Sequence, residues 1–327
     1  MRMLWVAVAL VAAVLVSVAS VTIGAREVAW SDILSALGGA AGTFDEAAIA
    51  KRLPRTALAL LVGAALGLSG AVMQGVTRNP LADPGILGVN TGAALAVAVG
   101  VAGFGLSTAT AYIWTAIVGA AVAAVFVYAV GSLGRGGATP LKLALAGAAT
   151  SAALASFITA VILGRNDIAG VLRSWQIGGV GGASFDTIVQ VLPFLAVGAA
   201  VCVLSARSLN SLALGDELAA GLGENVMVAR LAAAGGAVVL CGAATAIAGP
   251  IGFVGLVVPH VCRLLTGPDH RWLLPMSMLG GAVLLTLSDV VGRVVARPSE
   301  IDVGIITAFV GAPFFVWLVR RQKVREL

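Results

Sequence analysis

The ionisable side chains of this 327-residue chain are few, and their spacing restricts the chemistry that it can perform. The three lysines (Lys51, Lys142 and Lys323) lie outside any GxxxxGK[ST] segment, so the chain has no P-loop to hold nucleotide phosphates. The two histidines, His260 and His270, lack the further ligands that a zinc site needs. We therefore predict no catalytic residue, no metal ligand and no cofactor-binding residue in this chain.

The elements that carry these side chains are apolar segments that follow one another from Leu4 to Val319. Residues of the set AVILMFWYC make up 60% of the chain and charged residues only 11%, too little to cover a soluble protein of this length. A bilayer core takes about 20 apolar residues per helix, and the period-2 alternation of a membrane barrel is missing. We predict an all-α, polytopic membrane protein with a single transmembrane domain over residues 1–327.

Hydropathy predicts ten transmembrane helices. They cover residues 3–23, 53–76, 86–103, 109–130, 142–164, 188–206, 226–247, 250–265, 272–295 and 302–320. The first resembles a secretory signal peptide, but its apolar run is longer than a signal requires, so we expect it to be retained. Glycine and proline interrupt the eighth, and we do not expect it to cross as one straight rod.

Asp289 and Arg293, four residues apart in the ninth predicted helix, are the most notable ionisable pair. An ionisable group within a membrane is a functional candidate, whereas an ion pair at this spacing near a helix end is an equally good interpretation. The spans lack the buried carboxylates of an ion-coupled secondary transporter and the paired groups of an intramembrane enzyme, and this disfavours both alternatives. If transport is active, its energy source is another chain.

Small residues form a stripe along the second predicted helix, where Gly63, Gly67, Ala71 and Gly75 recur every fourth position. Such a stripe lets helix backbones approach closely. We favour packing within one subunit over a contact between subunits. The cysteines have no paired spacing, and we interpret them as small apolar residues: Cys202, Cys241 and Cys262.

Positive charge gives a conflicting signal for orientation. The basic C-terminal cluster at residues 320–325 predicts a cytoplasmic C-terminus, and ten spans then make the N-terminus cytoplasmic as well. Arg52, Arg55 and Arg293 fall on the outer side, against the usual bias. An acidic partner outside the membrane is one reason for them.

Two connecting segments have a composition that indicates defined structure. In the loop of residues 209–224, Asp216 and Glu217 precede small residues, which predicts a short amphipathic helix that another protein can approach closely. On composition alone, an ordinary surface helix is the favoured interpretation. The segment 78–88 contains two prolines and two glycines, which indicates a shaped turn.

Several segments together resemble the FecCD-type permeases, the membrane subunits of ABC importers for ferric siderophores, haem and cobalamin. They occur in the family's order, at its spacing and over nearly the whole chain. The matching segments are residues 52–55 (RLPR), 63–74 (GAALGLSGAVMQ), 79–85 (NPLADPG), 214–217 (LGDE) with Gly221, 249–260 (GPIGFVGLVVPH), 267–275 (GPDHRWLLP) and 304–317 (GIITAFVGAPFFVW).

The resemblance implies a type II ABC importer permease fold and an assembly in the bacterial cytoplasmic (inner) membrane. The implied assembly contains a second permease subunit, which is identical or related to this one. It also contains two cytoplasmic ABC ATPases that bind ATP and Mg²⁺, and an extracytoplasmic substrate-binding protein. Membrane lipid surrounds the assembly, and no nucleic acid takes part. Ferric siderophore is the expected cargo, with haem, cobalamin and simple oxyanions as alternatives.

The resemblance also implies roles for individual residues. The residues that would contact the binding protein are Arg52, Arg55 and Arg293. The residues that would couple the permease to the ATPase are Gly215, Asp216, Glu217, Ala219, Ala220 and Gly221. The residues that would form a cytoplasmic gate are Asn79, Leu81 and Thr139.

Overall fold

The computed structural model of the chain describes residues 1–24, 42–133, 140–163 and 175–323, with positions 35, 38, 165, 169 and 170 between them. Twelve α-helices and one 3₁₀-helix have both ends within these residues. They are α1 (Arg2–Thr22), α2 (Phe44–Thr77), the 3₁₀-helix (Pro84–Leu87), α3 (Val89–Phe104), α4 (Ala109–Ser132), α5 (Pro140–Ile162), α6 (Phe185–Leu204), α7 (Ala206–Leu212), α8 (Asp216–Gly221), α9 (Val226–Ala248), α10 (Val254–Thr266), α11 (His270–Val295) and α12 (Val303–Lys323).

Ten of these helices correspond one to one to the ten predicted spans. Within the described residues, α1, α2, α4, α5, α6, α9 and α11 are long and apolar enough to cross a bilayer, while α3, α10 and α12 have shorter apolar stretches. The two remaining helices, α7 and α8, lie in or beside the segment predicted as a polar loop. The prediction of an all-α, multi-pass membrane protein is confirmed.

The predicted start of the second span was wrong by nine residues, because α2 begins at Phe44. Its first turns carry Asp45, Glu46 and Lys51, which lowered the hydropathy of this stretch. A capping box starts the helix: Thr43 Oγ1 accepts from the Glu46 N–H (3.2 Å), and Glu46 Oε2 accepts from the Thr43 N–H (2.9 Å). With 34 residues, α2 is about 51 Å long and extends beyond the hydrocarbon core.

The long helix α2 lies inside the bundle and packs most closely against α11. A Cβ atom at Gly63 would overlap the carbonyl oxygen of Gly281, and one at Gly67 would overlap the carbonyl oxygen of Ser277. The two backbones therefore touch where the small-residue stripe of α2 faces α11. The predicted packing within one subunit is confirmed.

The eighth predicted span is interrupted, as its glycines and prolines indicated. Gly249 (φ 70°) and Phe253 (φ 69°) both have positive φ, and α10 begins only after them. Its 13 residues extend about 20 Å, less than the thickness of a bilayer core. Residues 249–253, between α9 and α10, are therefore non-helical backbone. The Gly179 N–H donates to the carbonyl of Ala248, the last residue of α9 (2.8 Å).

The bundle has two ends. We call the end of Arg52, Arg55 and Arg293 the arginine end, and the opposite end, which carries α7, α8 and the turn at residues 78–83, the α8 end. At the α8 end, Arg2 Nη1 lies 3.7 Å from Asp269 Oδ2, so α1 begins at that end. Glu300 binds Arg55 at the arginine end, and α12 runs from there toward the α8 end. Both ends of the described chain therefore lie at the α8 end.

The cysteines and His260, which belong to residue types that can bind metals, are packing residues in this structure. All three cysteines are buried and free. The ring of His260 packs edge to face on Phe314, with 5.7 Å between centroids. Among the described residues, no three His, Cys, Asp or Glu side chains are grouped closely enough to hold a metal ion.

Candidate functional site

Asp289 lies at the centre of a buried charge cluster at the arginine end. Its carboxylate accepts from Arg55 Nε (3.0 Å) and Nη2 (2.8 Å), and its Oδ2 lies 3.0 Å from Arg293 Nη2. The Asp289 side chain is only 1% exposed. Arg293 Nη1 also donates to the carbonyl oxygens of Ser20 (2.9 Å) and Ile23 (3.1 Å) at the end of α1. The local ion pair predicted for Asp289 and Arg293 is present, and Arg55 is its third member.

Arg52 also binds the end of α1. Its Nη1 donates to the carbonyl oxygens of Val21 and Thr22, both at 3.1 Å. The last carbonyls of a helix have no intrahelical partner, and positive charge is favourable beside them. Arg52 is 7% and Arg293 is 1% exposed, so both guanidinium groups are turned into the protein. These arginines thus have a structural reason to lie at this end, and their role in docking stays a prediction.

Arg55 differs because it connects the buried cluster to an exposed carboxylate. Its Nη1 donates to Glu300 Oε2 (2.6 Å), and the Glu300 side chain is 41% exposed. With Arg55 at 13% and Glu300 at 41% side-chain exposure, this pair is the most exposed part of the charge cluster.

At the α8 end, the predicted short helix is present as α8. Gly215 precedes it with φ 106°, a conformation that side chains disfavour. Ala219 is buried and anchors the helix, whereas Glu217 is exposed and a Cβ atom at Gly221 would meet nothing within 4 Å. The predicted surface helix with small residues therefore lies open to another protein.

Sequence reasoning missed the apolar side chains of this surface. Leu214, Leu218 and Leu222 are 58%, 62% and 69% exposed. Leu218 lies in α8, while Leu214 and Leu222 flank it. The available signal was three leucines within a segment too polar to span a membrane. A polar connecting segment that exposes three leucines is typical of a protein contact.

Asp216, at the start of α8, is bound by two arginines. Arg78 Nη2 and Arg230 Nη2 both donate to Asp216 Oδ1 at 2.7 Å. Arg78 is the residue that ends α2, and Arg230 lies in the first turns of α9. The carboxylate that was predicted to face an ATPase is therefore engaged within the chain.

The turn after α2 is shaped as predicted. Asn79 Oδ1 accepts from the Leu81 N–H (3.0 Å), and the Asn79 carbonyl accepts from the Ala82 N–H (3.1 Å). Asn79 and Leu81 are both half-buried. These bonds fix the turn at the α8 end of the bundle. Thr139, the third residue predicted for a gate, lies outside the described residues.

Two cavities between the ends have a mostly apolar lining with a few polar side chains, which sequence reasoning also missed. The polar side chains that border a cavity of about 440 Å³ include Asn90, Thr91 and Gln176, and those that border another of about 610 Å³ are Asp83, Asn90, Thr91 and Ser151. Thr91 Oγ1 donates to Ser151 Oγ (3.3 Å), and Thr245 Oγ1 donates to Asn90 Oδ1 (3.0 Å). Polar side chains within apolar spans were the signal. Hydroxyl and amide groups thus border both cavities, and Asp83 adds a carboxylate to the larger of the two, where its Oδ1 accepts from the Gly85 N–H (2.7 Å).

Long apolar helices, a buried charge cluster at one end and exposed leucines at the other define a multi-pass membrane protein. The model of the FecCD transport family matches residues 10–321. The chain belongs to the FecCD transport family, and the resemblance found in its sequence is confirmed.

Solved and curated relatives agree with this assignment. The chain is 45% identical over 305 residues to the ferric enterobactin transport system permease protein FepD of Escherichia coli, covering 93% of this chain and 91% of FepD. It is 45% identical over 273 residues to the iron(3+)-hydroxamate import system permease protein FhuB of Bacillus subtilis, covering 83% of this chain and 71% of FhuB. A solved metal-chelate type ABC transporter in an inward-facing conformation matches with TM-score 0.84 and 27% identity over 98% of this chain and 99% of that one. FepD and FhuB are permease proteins, consistent with the prediction that this chain is not an enzyme.

Proposed function

We propose that this chain is the permease subunit of an ATP-driven importer that carries a ferric siderophore whole across the bacterial cytoplasmic membrane. The observation that carries the proposal is its 45% identity to two ferric siderophore permeases, FepD and FhuB. A complex carried whole needs no protein ligand to its metal. The cavity bordered by Asn90, Thr91 and Ser151 has a mostly apolar lining with a few hydroxyl and amide groups and the carboxylate of Asp83.

The cargo is tested by uptake into proteoliposomes that contain the permease with its ATPase and binding protein. Ferric enterobactin, a ferric hydroxamate, haemin and cobalamin are supplied in turn at the same concentration. We expect ATP-dependent accumulation of a ferric siderophore. Accumulation of haemin or cobalamin alone would assign the chain to one of those cargoes.

The proposed assembly contains two permease subunits, two ATPases and one binding protein, with the α8 end in the cytoplasm. Support for this orientation comes from the two ends of the described chain, which share the α8 end, and from the exposed Arg320 near the end of α12. In this orientation the turn of Asn79 and Leu81 lies at the cytoplasmic mouth, where it serves as a gate. ATP and Mg²⁺ bind to the partner ATPase.

We infer that α8 is the surface on which the ATPase docks, through the exposed leucines and the open side at Gly221. Glu217→Arg, Leu218→Asp and Gly221→Trp should each weaken binding of the ATPase by about thirtyfold, because hot-spot residues at an interface contribute about 2 kcal/mol or more, and copurification should fall accordingly. Folding should persist, since these side chains point away from the protein. Affinity purification of the complex from membranes measures the loss.

Gly103→Trp is the matched control for Gly221→Trp. Gly103 also has nothing within 4 Å of its Cβ position, but it lies near the end of α3 that faces away from α8. Its variant should retain the ATPase. Wild-type ATPase content in all three α8 variants would show that this surface is not the contact.

We infer that the binding protein docks on the arginine end through an acidic group that contacts Arg55, while Arg52 and Arg293 hold the surface in shape. Glu300 already occupies Arg55 Nη1, so it competes with such a group. Glu300→Gln should accelerate association with the binding protein about threefold at low salt, because like charges slow encounter and opposite charges speed it. Surface-bound binding protein and purified permease give the association rates.

Asp186→Asn is the control for the change in net charge. Asp186 is exposed near the start of α6 at the same end, and none of the contacts described for Arg55 involves it. Equal association rates for Glu300→Gln and Asp186→Asn would remove Arg55 from the docking contact.

A further inference from the structure

The Asp216 carboxylate joins three separate elements of the α8 end. It belongs to the first turn of α8, Arg78 ends α2, and Arg230 lies in α9. Both arginines donate to the same oxygen, Asp216 Oδ1, at 2.7 Å. A displacement of α8 would therefore move both Arg78 and Arg230. Of the two, only Arg78 is adjacent in the chain to the Asn79–Leu81 turn.

The backbone conformation of Arg78 directs its side chain toward α8. Arg78 has φ 51° and ψ 33°, the left-handed conformation that ends many helices but is uncommon for a residue with a side chain. Its N–H donates to the Gly75 carbonyl (3.3 Å), while the next N–H, that of Asn79, donates to the Gln74 carbonyl (3.2 Å). The Cβ position of Gly215 lies 3.8 Å from Arg78 Nη1. The residue that ends α2 therefore lies close to the residue that precedes α8.

The strength of this ion pair depends on what covers it. The side chains of Arg78, Asp216 and Arg230 are 40%, 45% and 30% exposed, and exposed ion pairs contribute little to stability. A partner that covers the neighbouring leucines also excludes water from the pair, and the attraction between charges rises as the local dielectric falls. The connection is therefore weak in the free chain and strong in a docked one.

We propose that the Arg78–Asp216 ion pair transmits movement of α8 to the Asn79–Leu81 turn, so that Arg78 and Asp216 are positioning residues for transport. Arg230 anchors the same carboxylate to α9 and has no covalent connection to the turn. This inference rests on the proposed function, since it needs an ATPase that moves α8. It goes further by naming the bond through which the movement reaches the gate.

The test uses the complete complex in proteoliposomes, with ferric enterobactin labelled with radioactive iron as the probe. Arg78→Asn removes the guanidinium and suits the left-handed backbone, which asparagine accepts readily. Arg78→Lys keeps the charge, and Arg230→Gln removes the other arginine on the same oxygen. The measured quantity is the amount of iron transported per ATP hydrolysed, with the ATPase content of each preparation as a check on assembly.

We expect Arg78→Asn to lower that ratio about threefold, equivalent to about 0.65 kcal/mol at 1.36 kcal/mol per tenfold. Arg78→Lys should restore it in part, and Arg230→Gln should match the wild type. Asp216→Asn, which leaves the end of α2 untouched, should lower the ratio as Arg78→Asn does and serves if Arg78→Asn assembles poorly.

Three results would overturn the inference. The ratio could be unchanged in both Arg78→Asn and Asp216→Asn, or Arg78→Asn and Arg230→Gln could lower it equally, as a purely stabilising role requires. If the wild type hydrolyses ATP in the complex without transporting any of the tested cargoes, the proposed function fails and the inference fails with it. A coupled wild type with unaffected variants contradicts the inference alone.

Discussion

Replacing Gly281 by leucine is expected to prevent stable folding of the bundle. Even the first atom of a side chain at this position would overlap the Gly63 carbonyl oxygen and lie 3.1 Å from Gly67 Cα. Both obstacles are backbone atoms of α2, which is held by neighbours along its length, so the contact cannot relax by a change of rotamer. Overpacking a close-packed interior costs about 1–3 kcal/mol and sometimes more, and a leucine adds three further carbons to that overlap.

The measurement is the midpoint of thermal unfolding in detergent, followed by the monodispersity of the purified protein. Gly281→Ala should lower the midpoint by several degrees, and Gly281→Leu should leave little monodisperse protein. Gly235 offers matched controls, since it lies in the long helix α9 with nothing within 4 Å of its Cβ position. Equal midpoints for Gly281→Leu and Gly235→Leu would mean that α2 and α11 are not in backbone contact.

The second large effect is expected from Asp289→Ala. It removes the carboxylate that Arg55 and Arg293 share, and leaves the guanidinium of Arg293, a residue only 1% exposed, without its ion-pair partner. Removing one partner of a buried ion pair destabilises proteins by about 3–5 kcal/mol. We expect a correspondingly large fall in the thermal midpoint, together with loosening of the end of α1.

Glu300→Ala is the matched control for Asp289→Ala. It removes the other carboxylate on Arg55, but from a side chain that is 41% exposed. Exposed ion pairs contribute about 0–1 kcal/mol, so its midpoint should stay close to that of the wild type. If the two variants lose the same stability, the cluster is not buried as described.

The helices could be predicted from the sequence because a bilayer sets the length and composition of each span. The exception at the start of α2 has a physical reason. That turn is polar and extends beyond the apolar core, and its signal was the Thr43–Glu46 capping box, which a hydropathy window cannot detect. The break before α10 was predictable because Gly249 and Pro250 disfavour a continuous helix.

The candidate sites were harder to predict, because their properties come from contacts distant in sequence. Nothing near Arg293 in the sequence indicates that its guanidinium meets the carbonyl oxygens of Ser20 and Ile23. Likewise, Asp216 stood out as a charge on a short helix, whereas its two arginine partners come from α2 and α9. Composition identified the right segments, and only the packing of the helices assigned the partners.

The claim that the permease draws its energy from an ATPase on another chain is tested most directly by uptake into proteoliposomes. Ferric enterobactin is supplied outside with the binding protein, and vesicles contain either the permease alone or the permease with its ATPase and internal ATP and Mg²⁺. We predict accumulation only with the ATPase and ATP, and none under a proton or sodium gradient when the permease is alone. Gradient-driven accumulation by this polypeptide on its own would contradict the account.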